Sequence, residues 1–374
     1  MQQDQRRPFI IYREPPGWGF WSNFTVVLQG LEEADQRHLV PVVDMERYVT
    51  RYNEAEPVNG TMNAWEYYFE QPTALTLAEA LTQDPLDSGG VVKGGLFFTG
   101  FALNAPAPDV LARGRELVRK YVRLKPEIAR HLDSLLTKEA GARCAGVHVR
   151  GTDQRHGGFP GHPVPAGPDA YLEQTVMLDK EYSFDRIFLA TDEQETVSMF
   201  EREFGARLLT IPAHRTPSDV VEANFRKDYT WLFGASERDR HHYCLGLEVL
   251  TDALLLSRCS HVVCGVSNVS RAAMFFAEET QRVHPVPPLW ITPNSGGPSL
   301  GRAYLALLPP PTYQPTAAIL EKNIQELQRL LEDSENERAQ AQSAPAQPAE
   351  ERPAEERPAM GHLSAWIRRL RRLI

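Results

Sequence analysis

The chain has 374 residues and a formal net charge of −9, from 40 lysines and arginines against 49 aspartates and glutamates. With 42% hydrophobic and 24% charged residues it has the composition of an ordinary folded protein, long enough for about two domains. These values exclude a wholly disordered chain, a collagen-like repeat and a disulfide-dense miniprotein, and the acidic total argues against nucleic acid as a partner.

The first half of the chain begins with an alternation of predicted strand and helix. An apolar strand, Phe9–Tyr12, is followed by a glycine- and aromatic-rich loop, a helix to about Asp35 and a second strand, Leu39–Val43. This order is typical of a βαβ unit. Residues 108–140 are predicted to form two helices that are interrupted at Pro126.

The second half repeats the alternation more strongly. Its predicted strands are Cys144–Arg150, Arg186–Ala190, Arg207–Ile211 and His261–Cys264. Its predicted helices are one that begins at Pro168, one over 193–203, Gly246–Arg258 and Ser267–Ala277. Alternation in both halves predicts an α/β fold with parallel sheets. We place the domain junction before the strongest strand, so that residues 1–142 form one domain and 143–308 the other.

The composition changes after Leu308, where three prolines begin a C-terminal tail. Apolar residues spaced 4, 3 and 4 apart predict a short coiled-coil-like helix within 309–333; they are Leu320, Ile324, Leu327 and Leu331. Residues 317–332 are therefore the candidate contact for a homo-oligomer, although two heptads are few for an isolated dimer. Residues 334–360 repeat the sequence Ala-Glu-Glu-Arg-Pro and are predicted to be a disordered linker.

Residues 361–374 are predicted to form a basic amphipathic helix, which suits an anionic membrane surface or a partner protein. The alternative is that this tail packs back on the protein. The longest apolar run, Ala272–Ala277, is far shorter than the roughly 20 residues that span a bilayer. The chain begins without the apolar core of a secretory signal. We therefore expect a cytoplasmic protein, with the basic tail as a candidate peripheral contact at the inner membrane face.

The main chemical signal is the motif His-Val-Arg-Gly-Thr-Asp at residues 148–153, where a predicted strand ends. Ligands of open α/β sheets bind at the carboxyl ends of strands. Arg150 carries a planar guanidinium that suits a diphosphate, and His148 lies on the same face of the strand. The competing interpretation is a salt bridge between the two domains.

A second signal is a pair of carboxylates, Glu248 and Asp252, which share one face of a mostly apolar helix. A buried carboxylate needs hydrogen-bond donors or becomes protonated. Guanine offers two adjacent donors, its ring N–H and its exocyclic amine, and one carboxylate can accept from both. The alternative is that the pair holds arginines across the core.

Turns that contain glycine supply two weaker signals. The sequence Cys-Gly-Val-Ser-Asn-Val-Ser at 264–270 predicts a strand, a turn and a helix start, whose backbone N–H groups favour an anion. Simple capping by Ser267 is the alternative. Gly17 and Gly19 precede the first helix and allow the backbone to approach a phosphate or sugar closely.

Two further motifs complete the set: Trp-Glu-Tyr-Tyr-Phe at 65–69 and Phe-Leu-Ala-Thr-Asp-Glu at 188–193. In the order of the chain, the six motifs lie at 17–23, 65–69, 148–153, 188–193, 248–259 and 264–270. Together they resemble the bacterial-type fucosyltransferases, a group related to the α1,6-, nodulation and protein O-fucosyltransferases. The resemblance covers about residues 8–308. It implies a GT-B-like fold of two Rossmann-like domains facing a cleft, followed here by a helical or disordered tail. It also implies GDP-fucose as the donor, inversion at the anomeric carbon and no metal cofactor.

The resemblance implies roles for the matched residues. Arg150 is expected to bind the β-phosphate and support the departing GDP, while His148 and Asp252 read guanine. The other expected donor-site residues are Asp192 in the nucleotide site, Ser267, Asn268 and Val269 at the diphosphate, and Gly17, Trp18 and Gly19, which close the cleft from the first domain.

The chain departs from this group at important positions. The α1,6 enzymes have Arg-Arg-Thr-Asp-Lys where this chain has Gly151 and Gln154 in place of the second arginine and the lysine. An acidic residue that follows the motif in those enzymes falls on Gly158 here. Inverting transfer needs a base for the acceptor hydroxyl, and the candidates are Asp153 and Glu66. The acceptor is left open between a glycan, a lipid-linked sugar and a protein.

Three other functions are alternatives. The tripeptide Arg155-His156-Gly157 matches histidine phosphatases, but it lies beyond a strand end in a glycine-rich loop. A non-catalytic GDP-sugar-binding protein fits the loss of the second arginine and the lysine. A transferase for another GDP-sugar, such as GDP-mannose, is the third alternative.

Overall fold

The computed structural model describes residues 7–14, 19–90, 97, 106–136, 143–151, 163–215, 238–286, 290–291 and 325. The predicted linker at 334–360 and the predicted basic helix at 361–374 lie outside the described residues. The predicted coiled-coil helix also lies outside them, apart from residue 325, which is helical. The predicted domain junction after residue 142 falls next to another such segment and stays a prediction.

The first half of the chain forms a three-stranded parallel sheet in the order β2-β1-β3. Its elements are β1 (Pro8–Ile11), α1 (Phe20–Gln36), β2 (Val40–Val43), a 3-10 helix (Ala64–Tyr67), α2 (Leu77–Leu81), β3 (Leu86–Asp87), α3 (Pro108–Tyr121) and α4 (Pro126–Leu136). The predicted βαβ unit is confirmed, because α1 connects the parallel neighbours β1 and β2. The break predicted at Pro126 is also observed, since α4 begins there.

The second half forms a five-stranded, all-parallel sheet in the order β7-β6-β4-β8-β9. Its elements are β4 (Cys144–Val149), β5 (Pro163–Val164), α5 (Pro168–Tyr182), β6 (Arg186–Thr191), α6 (Gln194–Phe204), β7 (Leu208–Leu209), α7 (His241–Arg258), β8 (His261–Cys264), α8 (Asn268–Phe276), β9 (Arg282–Pro285) and β10 (Trp290–Ile291). Strands β5 and β10 form a separate antiparallel pair. The predicted α/β class with two parallel sheets is confirmed.

Side chains of the large sheet alternate between two layers. On β4, Val147 lies in an apolar core that includes residues of α5 and α6. Ala190 on β6 and Cys264 on β8 lie in the other core, which includes residues of α7 and α8. His148 pairs in register with both Ala190 and Cys264. His148 and Arg150, two residues apart, therefore lie on the α7 side of the sheet.

Helix α7 lies between the large sheet and the first half of the chain. The Tyr68 hydroxyl donates to the carbonyl oxygen of Tyr243 at 2.9 Å, and the Trp21 indole donates to that of Val249 at 3.0 Å. Gly246 is needed for this approach, because a Cβ there would overlap the Tyr68 hydroxyl. One apolar core therefore continues from the aromatic residues of the first half to α7 and α8.

The predicted boundaries differ from the structure in the short elements. Helix α7 begins at His241 rather than at Gly246, and the strand predicted over Arg207–Ile211 is reduced to Leu208–Leu209. The elements that were not predicted are α2, the 3-10 helix and the strands β3, β5, β9 and β10. The signal for α2 is a capping box, in which the Thr76 hydroxyl accepts from the Glu79 N–H at 3.2 Å and the Glu79 carboxylate accepts from the Thr76 N–H at 3.0 Å.

No helix in the described parts of the chain combines the length and the apolar character needed to cross a membrane. The four cysteines all fall within those parts and form no disulfide.

Candidate active site

Three neighbouring strands bring polar groups to one edge of the five-stranded sheet. Strand β4 ends just before Arg150 and β6 ends just before Asp192. Strand β8 ends at Cys264 and leads through a short turn into α8, whose N-cap is Ser267. Because the three strands are parallel, Arg150, Asp192 and Ser267 all lie at the carboxyl edge, where ligands of such sheets bind.

Arg150 and the start of α8 meet directly. The Arg150 guanidinium Nη1 donates to the Ser267 hydroxyl at 3.5 Å. Ser267 is buried, and its hydroxyl accepts from the Val269 N–H at 3.2 Å, so the predicted capping is observed. The first turn of α8, which also includes Asn268, therefore presents backbone N–H groups beside a guanidinium. Both features favour an anion such as a diphosphate.

His148 connects β4 to the same helix. Its ring Nδ1 lies 2.7 Å from the hydroxyl of Ser270 on α8, and both side chains are buried. Burial, assisted by the positive charge of Arg150, lowers the pKa of His148 to about 3. The imidazole is therefore neutral at physiological pH. Its expected contact with guanine stays a prediction.

Gly151, which stands where the resemblance expects a second arginine, leaves no room for a larger side chain. The Gly151 N–H donates to the Asp192 carboxylate at 3.2 Å. A Cβ on Gly151 would overlap the carboxyl group of Glu193. Glu193 is 3% exposed and accepts a 2.8 Å hydrogen bond from the Thr196 hydroxyl. Its side chain is therefore fixed and cannot easily move aside. The space beside Gly151 is thus occupied by a buried carboxyl group, and any larger residue would displace it.

We expect Gly151→Ala to lower the free energy of unfolding by about 1–3 kcal/mol through overpacking against Glu193. Thermal and urea denaturation measure this change. Gly19→Ala is the matched control, because a Cβ on Gly19 meets nothing within 4 Å and its φ is −64°. Adding Glu193→Ala should recover part of the loss. Equal stabilities of Gly151→Ala and Gly19→Ala would contradict the steric account.

Asp252 is a partly buried acid on the side of α7 that faces the sheet. Leu256, one turn further along α7, packs against Gly146 of β4. The Asp252 Oδ1 atom is buried and accepts no hydrogen bond from the described residues. Burial raises the pKa of Asp252 to about 8; Arg215 opposes this shift, whereas Glu248 and Asp192 add to it. Asp252 is therefore mostly protonated at neutral pH and is placed to receive donors from a ligand.

Glu248, one turn before Asp252, has a different environment. Its carboxylate forms a short ion pair with Arg238, and both side chains are partly buried. Glu248 thus holds an arginine, as the alternative interpretation of the carboxylate pair expected, but Arg238 comes from the segment just before α7 rather than from across the core. That interpretation does not hold for Asp252, whose buried Oδ1 atom accepts no hydrogen bond from any described cation.

Glu66, a candidate for the catalytic base, lies in the 3-10 helix of the first half. One of its carboxylate oxygens accepts from the Thr61 hydroxyl at 2.8 Å and the other from the Gln71 amide at 2.8 Å. These bonds hold the carboxylate within its own loop region. Its role as a base stays a prediction.

The first-domain glycines are only partly described. Gly19 is the N-cap of α1, and its carbonyl oxygen accepts from the N–H groups of Ser22 and Asn23. Gly17, Trp18 and Asp153 lie outside the described residues, as do Arg155 and His156 of the phosphatase alternative. Their expected roles stay predictions.

Three residues of this region were not predicted as site residues. Glu193 and Ser270 stand inside two of the recognised motifs, so their positions gave a usable signal. Arg215 follows β7 in a segment without any motif, and only the fold brings it near Asp252. Within the described ranges, no three His, Cys, Asp or Glu side chains are placed to hold a metal ion.

Comparison with solved structures finds fucosyltransferases. The fucosyltransferase NodZ from Bradyrhizobium is 17% identical, with 72% of this chain and 92% of that chain covered and a TM-score of 0.45. A NodZ alpha-1,6-fucosyltransferase soaked with GDP-fucose is 17% identical, with 73% and 93% covered and a TM-score of 0.43. POFUT1 in complex with GDP is 11% identical, with 76% and 98% covered and a TM-score of 0.43. No family model and no curated protein matches the chain.

Proposed function

We propose that this protein is a glycosyltransferase that moves fucose from GDP-fucose to a glycan-type acceptor hydroxyl, with inversion and without a metal ion. The observation that carries the proposal is the arrangement at the carboxyl edge of the large sheet. Arg150 and the start of α8 meet at Ser267, and Asp252 lies on the neighbouring helix with an unsatisfied buried oxygen. The first group suits the diphosphate of a nucleotide, and Asp252 suits its nucleobase, so the arrangement fits a nucleoside diphosphate.

The diphosphate end supplies the electrostatics that the reaction needs. Cleavage of the bond between fucose and the β-phosphate leaves negative charge on the departing GDP. The Arg150 guanidinium and the N–H groups at the start of α8 stabilise that charge as it develops, because they are held in place before the reaction begins. In this proposal they take over the charge compensation that a divalent metal ion provides in other glycosyltransferases.

The other half of the reaction requires an acceptor hydroxyl to lose its proton as it attacks the anomeric carbon. Asp153 and Glu66 are the candidates for this base. The acceptor is a glycan, a lipid-linked sugar or a protein. The basic helix that the sequence predicts at 361–374 favours an acceptor at a membrane surface. Residues 317–332 are the proposed contact between copies of the chain.

Calorimetric titration with GDP, ADP and UDP in excess EDTA tests the donor. We expect GDP to bind selectively and GDP-fucose to be turned over, slowly with water and faster with a suitable acceptor. Competition between GDP-fucose and GDP-mannose identifies the sugar. Equal affinity for the three nucleotides, or binding that EDTA abolishes, would contradict the proposal.

A non-catalytic GDP-sugar-binding protein is the second candidate, and one observation favours it. The carboxyl group of Glu193 occupies the space beside Gly151, where the α1,6 enzymes carry a second arginine. The site therefore has one cation fewer to stabilise departing GDP. Selective GDP binding without turnover of GDP-fucose over a broad acceptor panel would establish this second function.

A further inference from the structure

Several buried polar atoms lack a hydrogen-bond partner among the described residues, and two of them, of opposite character, belong to Arg215 and Asp252. They are Nε of Arg215, a donor, and Oδ1 of Asp252. An unsatisfied buried donor or acceptor costs free energy, so native proteins rarely leave such atoms without a partner. Two of them at one edge of a candidate site indicate a ligand that bonds to both.

Arg215 is held in place by the fold. Its Nη2 donates to the carbonyl oxygen of Ile211 at 2.7 Å. The ring centroid of His214, the preceding residue, lies 6.0 Å from that of His241 on α7. The segment that follows β7 therefore lies beside the helix that carries Asp252. The Arg215 guanidinium is anchored at Nη2, and its Nε has no partner among the described residues.

Arg215 is near Asp252 but does not pair with it. It is the cation whose charge acts on the Asp252 carboxyl, in opposition to burial and to Glu248 and Asp192. Glu248 is already paired with Arg238. Arg215 and Asp252, which both belong to the described residues, share no hydrogen bond or ion pair. A ligand edge can therefore lie across both groups.

The guanine edge has the required chemistry. Its ring N–H and exocyclic amine are donors, and the carbonyl oxygen O6 beside them is an acceptor. A carboxylate at 252 accepts from the donors, and a guanidinium next to it donates to O6. Adenine presents an amine in place of O6, so the same guanidinium would face a donor and reject it.

We propose that Arg215 is a base-specificity residue that donates a hydrogen bond to O6 of guanine, beside the donors that Asp252 accepts. This inference rests on the proposed function and adds a residue to its donor site. Selectivity for guanine over other nucleobases then depends on two side chains from distant segments, Arg215 and Asp252, rather than on Asp252 alone.

Two GDP analogues separate the two contacts. In 6-thio-GDP a sulfur replaces O6 and the donors are kept, whereas inosine diphosphate keeps O6 and lacks the exocyclic amine. We expect wild type to bind GDP about 10- to 150-fold more tightly than 6-thio-GDP, as for a hydrogen bond from a charged donor. In Arg215→Met this ratio should fall to near one, while the ratio between GDP and inosine diphosphate stays at its wild-type value.

Arg238→Met is the matched control, since it removes a positive charge from the same cluster and should change the affinities for GDP and 6-thio-GDP by the same factor. A wild-type protein that binds the two nucleotides equally would overturn the inference without any variant. An equal loss for all three nucleotides in Arg215→Met would also overturn it, because Arg215 would then act only as a charge beside Asp252. Wild type that binds no guanine nucleotide would instead refute the proposed function itself.

Discussion

Replacing Arg150 with alanine is expected to weaken GDP binding about 30-fold to several thousandfold, which corresponds to about 2–5 kcal/mol. Arg150 directly follows the central strand β4, and its guanidinium contacts Ser267 at 3.5 Å, where the diphosphate is proposed to bind. Turnover of GDP-fucose should fall at least as far, because negative charge grows on the departing phosphate. Calorimetric titration with GDP and initial rates with GDP-fucose measure the two effects.

Two further variants make this result specific. Arg150→Lys keeps a positive charge but loses the planar fork, and we expect it to lie between wild type and Arg150→Ala. Arg143→Ala is the matched control, because Arg143 lies beside the opposite end of β4, is 63% exposed and pairs with Asp185 at 3.6 Å. Unchanged GDP affinity and turnover in Arg150→Ala would remove Arg150 from the site.

Asp252→Asn is expected to weaken GDP binding about 100-fold to several thousandfold at pH 9, where the wild-type carboxyl is ionised. A carboxylate accepts from both guanine donors, and each hydrogen bond to a charged group contributes about 1.5–3 kcal/mol. An asparagine at this position can accept only one of them and turns its own N–H groups toward the other. Glu248→Gln, one turn away, is the control, since Glu248 is engaged by Arg238 and should affect GDP only weakly.

The raised pKa of Asp252 also predicts a pH dependence with a definite sign. Because that pKa is about 8, the acid must lose a proton before it accepts from guanine. GDP affinity should rise between pH 7 and 8, level off above about pH 8, and be accompanied by proton release. The terminal phosphate of GDP titrates near pH 6, below this window. Titrations in buffers with different ionisation enthalpies measure the release.

In the absence of GDP, the free energy of unfolding should decrease as the pH rises, whereas the affinity for GDP increases. Between about pH 4 and 8 the folded protein holds the Asp252 proton and the unfolded chain does not, so this group's contribution to the free energy of unfolding decreases as the pH rises. In Asp252→Asn both pH effects should disappear. A wild-type GDP affinity that is constant from pH 7 to 9 would contradict the proposed role of Asp252.

The local pattern of the sequence was sufficient for most of the second half of the fold. Strand β8 was predicted with its observed bounds, and β4 and β6 within one residue, because each is a short apolar run bounded by polar or glycine residues. Helix α8 was predicted with Ser267 at its start, since serine caps helix ends. Periodicity and capping act over a few residues and can be read without knowledge of the rest of the chain.

The short elements of the first half were harder to predict. Strand β3 has two residues and forms only by pairing with β1, so no periodicity marks it. Helix α2 has five residues and depends on the capping box of Thr76 and Glu79. The close packing of Gly246 against Tyr68 joins residues far apart in the chain and could not be inferred from either segment.

The sequence by itself determined the α/β class, the placement of Arg150 at a strand end and of Ser267 at a helix start, and the resemblance that points to a GDP-sugar. Only the tertiary structure decided how the remaining polar groups are used. It paired Glu248 with Arg238 and left Oδ1 of Asp252 without a partner among the described residues. It also placed Arg215 near that acid and filled the space beside Gly151 with Glu193. These outcomes depend on burial and on contacts between segments distant in sequence, which local patterns do not encode.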